Sequence, residues 1–206
     1  NNYTFYSGDG SPADGWPTTN QWISFEGMWA ANEPTIAISC TQFAEQNPST
    51  TEISELKAAI QSVGAAASID PRFILAVVMQ ESKGCVRVIT TNGGVVNPGL
   101  MQSHDGSGTC NSGGIGGPGL VPCPNSEIVQ MIKDGTDGTS SGDGLQQCLS
   151  QSPGTTLSQK VYQAATIYNS GNLPANLDDN TSTKCYASDV ANRLTGWTTA
   201  QTKCYL

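Results

Sequence analysis

Glu81 is the residue of this sequence whose surroundings most clearly favour a chemical role. It follows the run FILAVVM at residues 73–79, which is apolar on every side and is therefore typical of a buried helix. On such a helix Glu81 lies on the same face as Ile74 and Val78, where water is scarce. Burial raises the pKa of a carboxyl group, and one that keeps its proton near neutral pH can serve as a general acid. The alternative is a glutamate that simply reaches solvent at the end of the helix.

The helix that carries Glu81 has a recognisable beginning and end. Asp70 can accept hydrogen bonds from the first free backbone N–H groups of a helix, and Pro71 suits the first helical position. Lys83 and Gly84 follow Glu81, and glycine readily adopts the left-handed conformation that ends helices. The sequence therefore predicts a helix that starts at Asp70 and ends near Gly84, with Glu81 close to its C-terminal end.

Other helices are predicted around this one. Ser49 and Glu52 have the spacing of a capping box, and apolar residues then recur at helical intervals, which predicts a helix over residues 52–67. Thr156 begins a second capping box, and Asn125 has the type of side chain that caps helices. The further predicted helices span residues 21–33 (with Trp22, Phe25 and Trp29 on one face), 125–133, 156–168 and 186–195.

Glycine-rich segments separate the predicted helices. Residues 106–119 contain seven glycines, too many for a helix, and loops of this length are usually functional. The sequence DGTDGTSSGDG at residues 134–144 invites a calcium interpretation, but its aspartates do not follow the spacing of EF-hand ligands. We interpret it as plain turns, and we expect no metal ion and no other cofactor.

Two short motifs accompany Glu81. GLMQ stands at residues 99–102, and YNSG stands at residues 168–171, at the end of a predicted helix. The order of Glu81 and Ser82, then GLMQ, then A-x-x-Y-N-x-G resembles the goose-type lysozymes and the soluble lytic transglycosylases. Three motifs in the right order are far more specific than one, and the resemblance covers about residues 70–195. It indicates a secreted muramidase of fungal type.

The resemblance implies a lysozyme-like fold and a role for each matching residue. Glu81 would be the catalytic acid, and Tyr168 and Asn169 would face it while binding the substrate. The four GLMQ residues, Gly99, Leu100, Met101 and Gln102, would line the sugar-binding groove. His104 has no counterpart in the family pattern, and we expect it to bind substrate by lining the groove or by a hydrogen bond to a sugar hydroxyl.

The second carboxylate departs from the family pattern. In goose-type lysozymes an aspartate stands two residues after the Gln of GLMQ, but that position here is His104, and Asp105 comes one residue later. An inverting glycosidase needs a base that activates water on the opposite face of the sugar. We assign Asp105 as this catalytic base. The reserve candidates lie in the next glycine-rich segment and are Asp134, Asp137 and Asp143.

The bulk composition limits the classes of function. The formal net charge is −8 and the isoelectric point is near 4.4, which argues against partners that select basic surfaces, such as nucleic acid and anionic membranes. No apolar run approaches the roughly 20 residues that span a bilayer, so no membrane insertion is expected. We expect one lysozyme-like domain over residues 1–206, monomeric, with residues 1–48 as an extension packed on it.

Seven cysteines are spread along the chain without the paired spacing of metal sites, so disulfide bonds are predicted. They allow at most three bridges, which leaves one thiol over. The pairing stays open, except that Cys185 and Cys204 could close a C-terminal loop. The cysteines and a first residue other than methionine predict a secreted, extracellular protein from which a signal peptide was removed.

The expected protein is mainly α, an α+β lysozyme-like fold with a buried central helix that ends at Glu81 and with disulfide-stabilised, glycine-rich loops. We expect it to hydrolyse the β-1,4 bond between N-acetylmuramic acid and N-acetylglucosamine in bacterial peptidoglycan, and thus to be antimicrobial. Three alternatives stay open: a lytic transglycosylase acting on the same bond, a chitosanase, and a catalytically silent cell-wall-binding protein. A Ser-His-Asp hydrolase built on His104 is disfavoured, because adjacent residues rarely face each other as triad members do.

Overall fold

The structure, a computed structural model, describes residues 1–205 and is mainly helical. Within these residues seven α-helices accompany a single antiparallel hairpin of two very short strands. The prediction of a mainly α fold is confirmed. The helices are α1 (Phe25–Ile36), α2 (Thr50–Ala67), α3 (Pro71–Glu81), α4 (Asn125–Asp137), α5 (Leu145–Gln151), α6 (Leu157–Ser170) and α7 (Tyr186–Leu194), and the strands are β1 (Thr91–Asn92) and β2 (Val96–Asn97).

The chain divides into two compact units. The terminal unit combines residues 1–31 with the chain from Gln147 onward, and the central unit is formed by residues 32–146. The predicted acid Glu81 belongs to the central unit, whereas Tyr168 belongs to the terminal unit. A single catalytic domain over the whole chain stays a prediction.

Helix α2 begins with the capping box that the sequence predicts. The N–H of Glu52 donates to Ser49 Oγ at 3.2 Å, and the N–H of Ser49 donates to Glu52 Oε2 at 2.7 Å. The apolar side chains that recur along α2 are buried, and the helix packs against α3 and α4. Gly64 lets the chain that leads into α3 come close, because a Cβ atom there would stand 2.9 Å from Ile69 O. The predicted helix is confirmed.

Helix α3 is the buried central helix of the prediction. Asp70 caps it by accepting a hydrogen bond from the N–H of Arg72 at 2.9 Å, and Pro71 is its first residue. All side chains of residues 73–79 are at most 1% exposed. The helix ends at Glu81, and the chain then turns through residues with left-handed backbone angles. Local signals therefore locate the end of this helix correctly.

Helix α4 differs from its predicted bounds at both ends. Asn125 is the first helical residue and stands behind Pro124, so its side chain does not act as the predicted cap. The helix continues to Asp137 instead of ending near residue 133. It passes through Gly135, where a side chain of any size would collide with Met101. Close packing against another segment thus requires this glycine inside the helix, where the sequence suggested a break.

Other elements of the structure also differ from the predicted ones. α1 begins at Phe25, so Trp22 stands before the helix and not on its predicted aromatic face. α6 continues to Ser170 and ends at Gly171, whose φ of 73° is left-handed. Neither α5 nor the hairpin is anticipated by the sequence, because both are too short to show a clear periodicity.

Three disulfide bonds confirm the interpretation of the cysteines. The predicted closure of the C-terminal loop by Cys185 and Cys204 is correct. In the central unit, one bridge joins the segments before α2 and after α3, and the other closes the glycine-rich loop. These two bridges are Cys40–Cys85 and Cys110–Cys123, and the cysteine outside all three is Cys148, which is buried.

A buried ion pair ties together several segments of the central unit. Arg87 is fully buried and donates two hydrogen bonds to the carboxylate of Glu52, at 2.6 and 3.0 Å. Its remaining donors are all used by backbone carbonyl groups, those of Gln46, Asn47 and Leu120. The start of α2, the segment after α3 and the glycine-rich loop are thereby held to one another.

Aromatic side chains form the centre of the terminal unit. The ring of Tyr162 on α6 lies 5.0 Å from that of Trp16 and 6.2 Å from that of Trp22, measured between centroids. Its hydroxyl donates to Pro17 O at 2.8 Å and accepts from Trp22 Nε1 at 2.7 Å. Burial raises the pKa of Tyr162 well above its usual value. Helix α6, which carries the YNSG motif, is therefore fixed by a neutral, hydrogen-bonded tyrosine.

Candidate functional site

The end of α3 is joined directly to the GLMQ turn. Glu81 is the last residue of α3 and is half-buried. The hydroxyl of the next residue, Ser82, is buried and donates a hydrogen bond shared between Leu100 O at 2.8 Å and Val78 O at 3.0 Å. It also accepts from the N–H of Gly84 at 3.1 Å. The first two motifs, which are separate in sequence, are thus brought together by a side chain that lies next to the predicted acid.

The GLMQ turn is packed tightly against α4. Gly99 has a left-handed φ of 81°, and a Cβ atom there would stand 2.8 Å from the side chain of Met131. Leu100 and Met101 are fully buried, and the N–H of Gln102 donates to Gly99 O at 2.9 Å. The side chains of Leu100 and Met101 therefore anchor the turn, and a sugar would meet only the backbone at these two positions. Their assignment to the groove stays a prediction.

Gln102 uses its side-chain amide to hold the neighbouring hairpin. Its Nε2 donates to Ile89 O and to Gly99 O, each at 3.0 Å, and its Oε1 accepts from Thr91 Oγ1 at 2.9 Å. Thr91 is the first residue of β1. The half-buried Gln102 therefore fixes the position of the hairpin relative to the turn, a role that its place in a sequence motif does not reveal.

His104 and Asp105 lie at the surface beside this turn. Their side chains are 45% and 47% exposed, and His104 Nε2 stands 3.6 Å from Asp105 Oδ2. The backbone of Asp105 is nevertheless fixed, because its N–H donates to Val96 O of β2 at 2.8 Å. On the other side, Thr139 Oγ1 donates to His104 O at 2.7 Å. An accessible carboxylate on a well-held backbone can approach a water molecule, as a catalytic base must.

Two acidic residues of α4 hold the loop that follows Asp105. Asp134 Oδ2 accepts from the N–H groups of Ser107 at 2.7 Å and Gly108 at 2.8 Å, and Glu127 Oε2 accepts from the N–H of Thr109 at 3.0 Å. Three consecutive backbone donors are satisfied in this way. Asp134 is only 6% exposed, so its carboxylate is committed to the loop. We therefore remove Asp134 from the reserve candidates for the base.

Tyr168 and Asn169 lie near the end of α6 in the terminal unit, and both are half-buried. Asn169 Oδ1 accepts from Asn180 Nδ2 at 2.8 Å and from the N–H of Thr183 at 2.9 Å. Its Nδ2 donates to Thr183 Oγ1 at 3.3 Å. The amide of Asn169 therefore fastens the segment 180–183 to α6. That Tyr168 and Asn169 face Glu81 stays a prediction.

Ser82 and Glu127 are the residues whose importance the sequence did not reveal. Ser82 was part of the motif that contains Glu81, but a serine after a helix has no fixed partner until the fold supplies one. Glu127 lies in the first turn of α4, where acidic residues are common for a different reason, their favourable interaction with the helix dipole. Neither residue carries a local signal that would have shown its tertiary contact.

Comparison with known proteins adds no evidence about the function, which therefore has to be inferred from these motifs. No protein-family model matches the chain, and a search of curated proteins finds no significant match. Within the described residues, no group of three or more His, Cys, Asp or Glu side chains is arranged to hold a metal ion. No helix in that part of the chain is both long and apolar enough to cross a bilayer.

Proposed function

We propose that this protein is a muramidase, which hydrolyses the β-1,4 bond between N-acetylmuramic acid and N-acetylglucosamine in bacterial peptidoglycan. The observation that carries the proposal is the hydrogen bond from Ser82 Oγ to Leu100 O, because it joins two of the three motifs beside Glu81. The order of these two motifs suggests a common site, and the contact between Ser82 and the GLMQ turn supports it. The three disulfide bonds fit a secreted protein, as an enzyme that acts on bacterial walls requires.

In the proposed mechanism Glu81 donates its proton to the glycosidic oxygen as the bond breaks. Glu81 is half-buried at the end of α3, directly after the buried apolar residues of that helix. Asp105 takes a proton from a water molecule on the opposite face of the sugar, and the resulting hydroxide equivalent attacks the anomeric carbon. The backbone of the GLMQ turn borders the glycan strand.

A lytic transglycosylase is the second candidate, and the position of Asp105 favours it. This residue stands one place beyond the aspartate of the goose-type pattern and has a left-handed φ of 50°. In a transglycosylase the 6-hydroxyl of the muramic acid attacks intramolecularly, so no protein carboxylate needs to activate water. The two reactions leave different products, reducing ends after hydrolysis and 1,6-anhydro ends after transglycosylation.

Mass spectrometry of muropeptides released by the wild type and by Asp105→Asn tests the proposal. We expect reducing ends from the wild type and a loss of turnover of at least about a hundredfold in the variant, with little change in KM, because a general base acts mainly in the transition state. Asp143→Asn is measured beside it, since it removes the same charge from an exposed reserve candidate in the next loop and should keep full turnover if Asp105 is the base.

Each other outcome contradicts a defined part of the proposal. Anhydro products with an active Asp105→Asn protein would establish the transglycosylase instead. Reducing ends with an active Asp105→Asn protein would defeat the assignment of the base, and a loss in the Asp143→Asn protein would transfer that role to Asp143. Binding to peptidoglycan without any product would indicate a cell-wall-binding protein.

A further inference from the structure

Two sequence motifs of this chain match the acceptor for N-linked glycans, and neither is used by the proposed function. They are Asn2-Tyr3-Thr4 and Asn180-Thr181-Ser182. Such tripeptides are common by chance, so the sequence alone does not distinguish them. An acceptor amide needs room for a bulky, hydrated sugar, and it must have a hydrogen on nitrogen that the fold does not require.

The environment of Asn180 excludes a glycan. Its side chain is 1% exposed, and its Nδ2 donates to Asn169 Oδ1 at 2.8 Å and to Thr183 O at 3.2 Å. Its Oδ1 accepts from the N–H of Ser182 at 3.0 Å. A sugar on this nitrogen would replace one of the two hydrogens that make these bonds and would occupy space filled by protein. The folded structure is therefore incompatible with modification at Asn180.

The environment of Asn2, in contrast to that of Asn180, leaves room for a glycan. Asn2 and Thr4 are exposed, whereas Tyr3 between them is 2% exposed and anchors the segment through its hydroxyl, which donates to Asp189 Oδ1 at 2.6 Å. The backbone of Thr4 is held on both sides by one residue of α7, since its N–H donates to Asn192 Oδ1 and its carbonyl accepts from Asn192 Nδ2, each at 2.7 Å. The segment is thus fixed through Tyr3 and its backbone, and the side chains that form the acceptor face solvent.

We propose that Asn2 is an N-glycosylation site and that Asn180 is not modified. The donor would be an oligosaccharide joined to a lipid through a diphosphate, supplied with its transferase by the secretory pathway. Nδ2 of Asn2 forms a bond to the anomeric carbon of the sugar, the bond from that carbon to the diphosphate oxygen breaks, and the lipid diphosphate leaves with the electron pair. The proton of Nδ2 goes to a base of the transferase. This inference does not depend on the proposed muramidase activity.

Peptide mass spectrometry of the whole chain, secreted from a host that N-glycosylates, tests the inference. After release of N-glycans by an amidase in heavy-oxygen water, we expect Asn2 to be converted to labelled aspartate and Asn180 to remain an amide. Thr4→Ser should keep the glycan, because either hydroxyl is accepted, and Thr4→Ala should lose it completely. Asn180→Gln is the control and should leave the glycan mass unchanged. An unmodified Asn2 in the secreted protein, or a glycan on Asn180, would overturn the inference.

Discussion

Two buried carboxyl groups, one in each unit, have opposite surroundings. Glu52 in the central unit is 3% exposed and accepts four hydrogen bonds, whereas Asp178 in the terminal unit is equally buried and accepts none from the described residues. The pKa of Glu52 is lowered to about 2, and that of Asp178 is raised. Burial is thus common to both, and the donors around each carboxylate decide in which direction its pKa moves.

The donors around Glu52 come from three separate segments. Burial alone would raise its pKa, but the hydrogen bonds and the charge of Arg87, with the N–H groups of Ser49 and Cys123, outweigh that effect. Arg87 follows closely after Glu81 in the sequence, and Cys123 belongs to a disulfide bond that closes the glycine-rich loop. A fully satisfied charge pair therefore stabilises the region on which the candidate site is built.

The surroundings of Asp178 compensate its charge only in part. Burial raises its pKa, and the neighbouring charge of Asp179 raises it further. The Ser7 side chain and the charge of Lys184 act in the opposite direction, but no hydrogen bond to either carboxylate oxygen has ordinary geometry. Asp178 precedes the segment 180–183 that Asn169 holds, so the part of the terminal unit next to a predicted substrate residue is expected to be sensitive to pH.

The largest effect is expected from breaking the satisfied pair. Glu52→Gln leaves the buried guanidinium of Arg87 without a counter-charge, and removing one partner of a buried ion pair typically costs about 3–5 kcal/mol. Glu55→Gln on the same helix is the control and should change the free energy of unfolding by less than about 0.5 kcal/mol. Urea unfolding at pH 7 measures both, and a Glu52→Gln protein as stable as the control would contradict the importance of the pair.

For Asp178, whose substitution removes a buried charge, we predict a change in the free energy of unfolding of opposite sign to that of Glu52→Gln. Because its folded-state pKa is raised, Asp178 favours folding most below the pKa of the unfolded chain, about 4, and this contribution is lost as pH rises through the folded-state pKa. Asp178→Asn stays neutral, so we expect it to match the wild type in acid and to be about 1–2 kcal/mol more stable at neutral pH.

Thermal unfolding between pH 4 and pH 8 checks this prediction. Asp179→Asn makes the same change at the exposed neighbour, whose charge raises the pKa of Asp178, so it should have a smaller effect in the same direction. If Asp178→Asn and Asp179→Asn have the same pH dependence as the wild type, burial of Asp178 has no energetic consequence, and the comparison with Glu52 fails.

Two buried serines of the central unit also differ in whether their hydroxyl groups have hydrogen-bond partners. Ser82 Oγ has hydrogen-bond partners on both sides, whereas Ser103 Oγ is buried without one among the described residues. Ser82→Ala should therefore destabilise the protein by about 1–3 kcal/mol, and Ser103→Ala should be near neutral. Only Ser82→Ala should also lower turnover at temperatures well below unfolding, because it releases Leu100 from the end of α3. Equal effects of both substitutions on stability would contradict this.

The parts of the fold that sequence predicted are those with local signals. The cap of α2 and the start of α3 depend on residues within one helical turn, so Ser49, Glu52 and Asp70 were sufficient. The prediction that α4 ends before Gly135 was wrong, because the place of this glycine inside the helix is decided by packing against Met101. A contact of that kind has no trace in the neighbouring sequence.

In the candidate site, too, the residues with local sequence signals could be predicted and those that depend on distant contacts could not. Glu81 could be singled out because the apolar run before it is local and continuous. The partners of Arg87 and of Asp134 could not be predicted, because their hydrogen bonds join residues that are far apart in the chain. Arg87 and Glu52, for example, are separated by 35 residues. Motif order suggested that Glu81 and GLMQ belong together, and the fold supplied the contact through Ser82.

The turnover of Glu81→Gln on purified peptidoglycan tests the central claim most directly. The amide keeps the size of the side chain but has no acidic proton, and general acid catalysis is typically worth about 10²–10⁴-fold. We therefore predict a loss of at least about a hundredfold, with an unfolding temperature close to that of the wild type and with full activity in the control Glu55→Gln. A Glu81→Gln protein that folds and retains more than about a tenth of wild-type turnover would contradict the assignment of Glu81 as the catalytic acid.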